Sequence, residues 1–286
     1  MTLRKILVPI RGDGRGEAVL SYAAALARRH SAHLQAVHCR ARPADFIPIG
    51  VNVPRAFRAQ IEAQGETLAR EEGAALREKF LALLPGLGIE PTEEATAPTD
   101  RATGSWTEAA GKMADVIRIY GRLADLVAVA KPDRDANLGV NSLRAAIYQT
   151  ARPVLMCPPE AAPADFGRRV AIAWNGSLEA TRAVALNLPV LRMAEEVVVL
   201  DGGAEHSATG GAALLVYLAE HGVTARAVSL NARDHPGEVI LSEAENQGAS
   251  LILMGAYSHS HEHEVIFGGA TQQVVDQTAK GIILVH

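Results

Sequence analysis

The strongest constraint on this chain is that it repeats itself. Lys5-Ile-Leu-Val-Pro-Ile-Arg-Gly12 aligns with Arg169-Val-Ala-Ile-Ala-Trp-Asn-Gly176. In the same register, without a gap, His33-Leu-Gln-Ala-Val-His38 falls against Val197-Val-Val-Leu-Asp-Gly202. Further along, Ala124-Asp-Leu-Val-Ala-Val-Ala130 matches Ala249-Ser-Leu-Ile-Leu-Met-Gly255, and Thr150-Ala-Arg-Pro-Val-Leu155 matches Thr278-Ala-Lys-Gly-Ile-Ile283. A unit written twice must fold twice, so each copy bounds the reading of the other. The 286 residues give room for two domains of ordinary size. They divide as 1–157 and 169–286, joined by a linker at 158–168 that carries Pro158-Pro159-Glu-Ala-Ala-Pro163.

Each copy alternates short apolar runs with helical stretches. In the first, the pattern predicts strands at 4–10 and 33–39, and an alanine-rich helix at 15–30. A proline-containing loop at 41–54 and a long charged helix at about 55–84 follow. Strand, helix, strand, helix and strand are then expected near 89–95, 105–120, 125–130, 140–150 and 153–157. In the second, strands are expected near 169–174, 196–201, 223–230, 250–255 and 281–286, with helices near 178–192, 208–221, 236–247 and 269–279. Runs such as VAIAW, VVVL, LILM and IILV suit strands buried on both faces. The fold class is therefore α/β: two Rossmann-like domains, each a parallel sheet covered on both sides with right-handed crossovers. Ligands on such sheets bind beyond the carboxyl ends of the strands, where strand order reverses.

The stretch after Leu251 carries the chemistry. An apolar strand ends at Gly255, a polar loop follows, and Gly268-Gly269-Ala270-Thr271 opens a helix. Free N–H groups and the helix dipole converge at such a junction, and glycine lets an anion approach the main chain. The spacing of Gly255, Ser258 and Gly268-Gly269 resembles the phosphate-binding signature of the universal stress protein family: glycine, two residues, glycine, nine residues, then glycine and a small residue. Ser258 replaces the middle glycine and Gly269 the usual hydroxyl residue, while Thr271 keeps a hydroxyl nearby. Val170-Ala-Ile-Ala-Trp174 leading into Asn175-Gly176-Ser177 is similar to the family's opening strand, where aspartate normally stands at the Asn175 position.

The whole chain thus resembles a tandem universal stress protein. The resemblance implies a stress-response regulatory protein that binds ATP or a related adenine nucleotide in its second domain, with Mg²⁺ as a potential companion. It implies that Trp174 and Asn175 flank the adenine or ribose and that Gly202 meets the base, with Ala173 and Met254 also among the nucleotide-binding residues. It implies that Gly255 and Ser258 approach the phosphates and that Gly268, Gly269, Ala270 and Thr271 offer N–H groups and a hydroxyl at the helix start. It also implies adenine-nucleotide alpha hydrolase-like domains packed about a pseudo-two-fold axis through the last strands, 153–157 and 281–286. The family is non-enzymatic or slowly hydrolytic.

The first copy departs from this pattern. Ala130 stands for Gly255 and is followed by Lys131-Pro132-Asp133; Val140-Asn141-Ser142 replaces the glycine pair; Arg11 occupies the Asn175 position. Pro132 has no N–H and Asp133 repels phosphate, so this copy is expected to be degenerate as a nucleotide site.

Each of these glycines alone reads as ordinary turn punctuation; only the constellation argues for a ligand. His259, His261 and His263 offer enough imidazole for a metal, but a solvated loop is the expected reading and zinc is not expected. No Walker A lysine, G-x-S-x-G elbow, H-E-x-x-H or C-x-x-C is present. With 21% charged residues, 48% hydrophobic residues and a formal charge of −4, the composition argues for a globular protein and against a general nucleic-acid binder. No apolar run approaches bilayer-spanning length, and the start Met-Thr-Leu-Arg-Lys lacks an apolar leader, so a cytoplasmic location is expected. Cys39 and Cys157 read as reduced thiols. The expected partners are the nucleotide and an unidentified protein, the molecule being a monomeric tandem or a homodimer. A nucleotide-free scaffold or a metal-binding histidine loop are the alternative functions.

Overall fold

The computed structural model describes residues 2–40, 42, 54–95, 100–204, 206–231, 235–256 and 269–286. In the first unit the strands are β1 (Lys5–Ile10), β2 (His33–Arg40), β3 (Glu90–Pro91), β4 (Thr103–Ala110), β5 (Leu126–Ala130) and β6 (Val154–Cys157). The helices are α1 (Gly16–His30), α2 (Arg55–Leu83), α3 (Met113–Tyr120) and α4 (Val140–Gln149). The second unit has strands β7 (Arg169–Trp174), β8 (Glu196–Asp201), β9 (Ala225–Ser229), β10 (Leu251–Gly255) and β11 (Gly281–Val285). Its helices are α5 (Leu178–Leu186), α6 (Leu188–Arg192), α7 (Gly211–Glu220), α8 (Pro236–Asn246) and α9 (Gly269–Gln277).

All the strands join one 11-stranded sheet, in the order β3-β4-β2-β1-β5-β6-β11-β10-β7-β8-β9. Pairings are parallel throughout except at the seam, where β6 runs antiparallel to β11 with Leu155 opposite Ile283. Equivalent strands therefore read in the same order outward from the seam, which is the signature of a pseudo-two-fold axis between β6 and β11. In each unit the chain leaves its first strand in one direction and returns on the other side, so strand order reverses between β1 and β5 and again between β7 and β10.

Strand residues alternate between two cores. Ile6, Val8, Ile172 and Leu253 join the layer under α1, α5 and α7; Leu7, Ala171, Ile252 and Met254 join the layer under α3, α4, α8 and α9. At the seam Phe166 of the linker packs edge-on against Tyr22 of α1, with ring centroids 4.7 Å apart.

The elements depart from expectation in three places. The segment 105–120 was expected as one helix, but residues up to Ala110 form β4 and only Met113–Tyr120 is helical. The strand expected at 89–95 shrinks to Glu90–Pro91. The single helix expected at 178–192 breaks at Asn187, whose side-chain amide donates to the Ala183 carbonyl at 2.9 Å; Pro189 then starts α6 without needing an N–H partner.

Candidate functional site

At the carboxyl end of β7, Asn175-Gly176-Ser177 turns the chain into α5. The Asn175 Oδ1 accepts the Ser177 N–H at 3.1 Å, and the Ser177 hydroxyl accepts the Ala180 N–H at 3.2 Å, capping the helix. Gly176 has φ +72°, and a β-carbon there would lie 2.8 Å from Ala204 Cβ and 3.0 Å from the Thr209 carbonyl. The β8–α7 loop thus closes over this turn. Trp174 is 7% exposed and its indole N–H donates to the Thr209 carbonyl at 2.9 Å. The ring belongs to the core; what the strand end offers a ligand is its main chain and the free amide nitrogen of Asn175. Ala173 and Met254 are also buried, on the α8–α9 side of the sheet. The Gly202 N–H donates to the Trp174 carbonyl at 2.9 Å, continuing the ladder past the strand. Asp201 beside it accepts from the Gly203 and Gly211 N–H groups, each at 3.0 Å, and so fixes the start of α7.

Across the switch point, Gly255 ends β10 against the first turn of α5. A β-carbon on it would sit 2.5 Å from the Ala180 nitrogen and 2.7 Å from the Glu179 carbonyl carbon. Those are main-chain atoms, so no side chain fits unless α5 moves. The Ala256 N–H donates to the Val285 carbonyl at 2.8 Å. Ser258, Gly268 and the three histidines His259, His261 and His263 lie outside the described residues. Gly269 opens α9; among the described residues no atom comes within 4 Å of where its β-carbon would stand, and the first helical turn holds no acidic residue. Ala270 is half-buried and Thr271 is 6% exposed. The α8 start docks on this turn, the Gly237 N–H donating to Gln273 Oε1 at 3.2 Å. Gly255 thus packs on the main chain of α5, and Gly269 stands at the start of α9, where the helix dipole has its positive end.

The first unit keeps the positions and fills them. Arg15, whose counterpart in the repeat is Glu179, forms an ion pair with Asp133 and donates to the Lys131 carbonyl at 3.2 Å. Asp133 also accepts the Ala136 N–H at 3.0 Å, and Asp133 and Leu138 exchange two backbone hydrogen bonds of 2.9 Å. The Ala136 N–H and then the Arg15 charge outweigh desolvation and hold the Asp133 carboxyl below the usual carboxylate range. The β5–α4 loop is thereby folded into a closed turn. The cleft left at this end of β1 and β5, lined by Pro9, Arg11, Arg15, Val129, Ala130 and Ser142, holds about 40 Å³. That is room for a few waters; the larger space nearby, about 430 Å³ bordered by Ala130, Lys131 and Asp133, lies on the seam side of the loop. The sequence shows Asp133 as a charge that repels phosphate but not its pairing with Arg15, because the two lie 118 residues apart. The one clue was charge: two opposite charges on loops that the repeat brings to the same strand ends.

Among the described residues no group of three His, Cys, Asp or Glu side chains is placed to hold a metal ion. Among them, too, no helix is long and apolar enough to cross a membrane.

Residues 171–286 match the sequence model of the Universal stress protein family. No curated protein matches the chain in sequence. Among solved structures, a universal stress protein from Archaeoglobus fulgidus superposes with a TM-score of 0.67 at 14% identity, covering 100% of this chain and 99% of its own. A functionally unknown protein from Pseudomonas aeruginosa superposes with a TM-score of 0.54 at 16% identity, covering 99% and 92%. At such identities the likeness is one of fold. Along its whole length the chain has the fold of that Archaeoglobus fulgidus protein, and residues 171–286 carry the match to the Universal stress protein family.

Proposed function

We propose that the second unit binds one adenine nucleotide per chain, ATP or a close relative, as a regulatory ligand in a stress response. The observation that carries this reading is the close approach at Gly255. Its Cα is held against the main chain of α5 with no space for a side chain, across the switch point from a helix start bare of carboxylates. The backbone of Gly202 and the amide of Asn175 would meet the base and ribose. Gly255, Ser258, Gly268, Gly269, Ala270 and Thr271 would surround the phosphates, with Mg²⁺ as optional counter-ion. The side chains of Ala173, Trp174 and Met254 would back the site rather than touch the ligand, since all three are buried. Residues 1–157 serve as the closed scaffold unit, 158–168 as the linker and 169–286 as the binding unit. The reading is of a regulatory ligand, with at most slow hydrolysis.

Titration calorimetry with ATP, ADP and AMP, with and without Mg²⁺, tests this directly. A stoichiometry near one is expected; absence of heat with all three nucleotides overturns the reading. A second reading, a nucleotide-free interaction protein, is favoured by the commitment of Asn175 Oδ1 to the Ser177 N–H. The same titration separates the two. Because the last strands β6 and β11 already pair within the chain, we infer that the molecule is a monomer in solution, which light scattering checks.

A further inference from the structure

The β5–α4 loop of the first unit does more than close its own cleft. Lys131 extends its ammonium group across the seam to the Thr278 carbonyl, at 2.7 Å, and Arg134 pairs with Asp276 at 3.0 Å. Both partners belong to the last turn of α9, since the Thr278 N–H still donates to the Val274 carbonyl at 3.0 Å. Two cations at a helix carboxyl end are favourably placed with respect to its dipole. The opposite end of this short helix, at Gly269, opens the candidate cleft of the second unit. On its other side the same loop is held by Arg15, through Asp133 and the Lys131 carbonyl. The loop borders a pocket of about 430 Å³ lined in part by Arg15, Lys131, Arg134, Cys157 and Asp276, so it is not packed on all sides.

We propose that the Lys131–Gly139 loop is a strap that couples the two clefts, latched on Arg15 in the first unit and gripping the carboxyl end of α9 in the second. An anion that reaches Arg15 competes with Asp133 for the guanidinium and loosens the strap. A loosened strap frees the last turn of α9 and with it the helix whose first turn faces the second cleft. By thermodynamic reciprocity, a ligand ordering the amino end of α9 tightens the strap. The physical carrier is an unbroken chain of contacts from Arg15 through Asp133, the loop backbone, Lys131 and Arg134 to α9. The strap itself does not depend on nucleotide binding; only its effect on a nucleotide rests on the reading above.

Amide hydrogen exchange on the full chain, read by mass spectrometry, tests it. Asp133→Asn keeps an oxygen for the Ala136 N–H and removes the charge that latches Arg15. In ligand-free protein this variant is expected to speed exchange at residues 131–139 and also at 274–278, at least threefold in each. Arg118→Ala, which breaks an ion pair with Asp115 elsewhere in the first unit, is the control and should leave 274–278 unchanged. If 131–139 accelerates while 274–278 does not, or if neither responds, the strap is overturned. ADP is then added to wild-type protein. Slower exchange at both 270–277 and 131–139 supports coupling. Binding that slows only 270–277 overturns coupling and leaves the nucleotide reading standing. If ADP does not bind, that reading falls and the ligand-free comparison alone decides the strap.

Discussion

The two clefts of this molecule are built on the same strand ends and differ in what stands there. In the first unit Ala130 ends β5, Arg15 precedes α1, and Asp133 folds back to meet Arg15. In the second, Gly255 ends β10 and Glu179 occupies the Arg15 position, where its main chain, not its charge, meets the glycine. At one strand end stands an internal ion pair; at the other, a glycine packs on the main chain of α5. The comparison teaches that a duplicated scaffold can keep its sheet and core intact while a handful of loop residues decide what stands at equivalent strand ends. Nothing in the core distinguishes the copies this sharply: β1 and β7 both alternate between the same two layers.

The largest effect is expected where the two units are one body. Phe166 is 2% exposed, touches Tyr22, and fills the space beside Gly281. Phe166→Ala should cost about 3–5 kcal/mol, as for other buried aromatic truncations. Urea unfolding should remain a single transition at a lower midpoint. Two separated transitions would show that the units are independently stable and that the comparison is between two domains, not two ends of one sheet.

Next in size is a swap at the strand ends. Gly255→Ala places a methyl group against the main chain of α5 and is expected to cost roughly 2–3 kcal/mol, within the range for overpacking. The reverse change in the first unit, Ala130→Gly, should cost about 1 kcal/mol or less, chiefly through backbone entropy. Equal costs in the two units, measured by urea denaturation, would break the contrast between an approach that excludes a side chain and one that does not.

The strand ends were legible in the sequence for the same reason they are sensitive to substitution. The apolar runs LILM and IILV and the glycine after Met254 announce a buried strand and its end, and the structure places Leu251–Gly255 and Gly281–Val285 there. Strand β4 was not legible. Its inner face is polar: Thr103 and Ser105 hydrogen-bond the two ring nitrogens of buried His33, each at 2.8 Å. A strand that satisfies its buried face with hydroxyls shows no hydrophobic alternation, and the tract Thr107-Glu-Ala-Ala110 that follows reads as helix. The constellation Gly255, Asn175 and Gly269 was visible as spacing. The Arg15–Asp133 latch was not, because an ion pair between distant loops leaves no periodicity to find.

The same His33 and its neighbour His30 give the first unit an acid-sensitive contribution to stability. Burial first, then the Arg29 and Arg4 charges, pull His30 down from 6.5 to about 4; burial also lowers His33. Both rings are neutral in the native state and gain protons more readily once unfolded. Their contribution to stability is therefore complete above pH 6.5 and is lost as pH falls from 6.5 toward 4. At about 1.4 kcal/mol per tenfold, His30 alone has a ceiling of roughly 3 kcal/mol. For a half-exposed ring screened by water, about 1–2 kcal/mol is expected. The aligned residues of the second unit are Ala194 and Val197, which do not titrate. His30→Ala should flatten the fall in the urea midpoint between pH 7 and pH 4.5; an unchanged slope would move the acid sensitivity elsewhere.

The smallest effect tests the second unit's strand ends at their edge. Asn175→Asp should preserve the turn, because a carboxylate accepts the Ser177 N–H as the amide oxygen does. It replaces the amide donor with a second acceptor that carries charge, and hydrogen bonds to charged groups are about twice as strong as neutral ones. If a ribose hydroxyl or a base amino group donates at this position, affinity for ADP should rise about threefold to tenfold, read by calorimetry. If the amide nitrogen was itself donating to the ligand, affinity should fall instead, and the orientation of the nucleotide at β7 must be reversed. The matching change in the first unit, Arg11→Asp, sharpens the comparison. It removes a cation from a cleft of about 40 Å³ that remains latched by Arg15 and Asp133. It should create no binding, because what closes that cleft is the loop folded over it and not the residue at the end of its first strand.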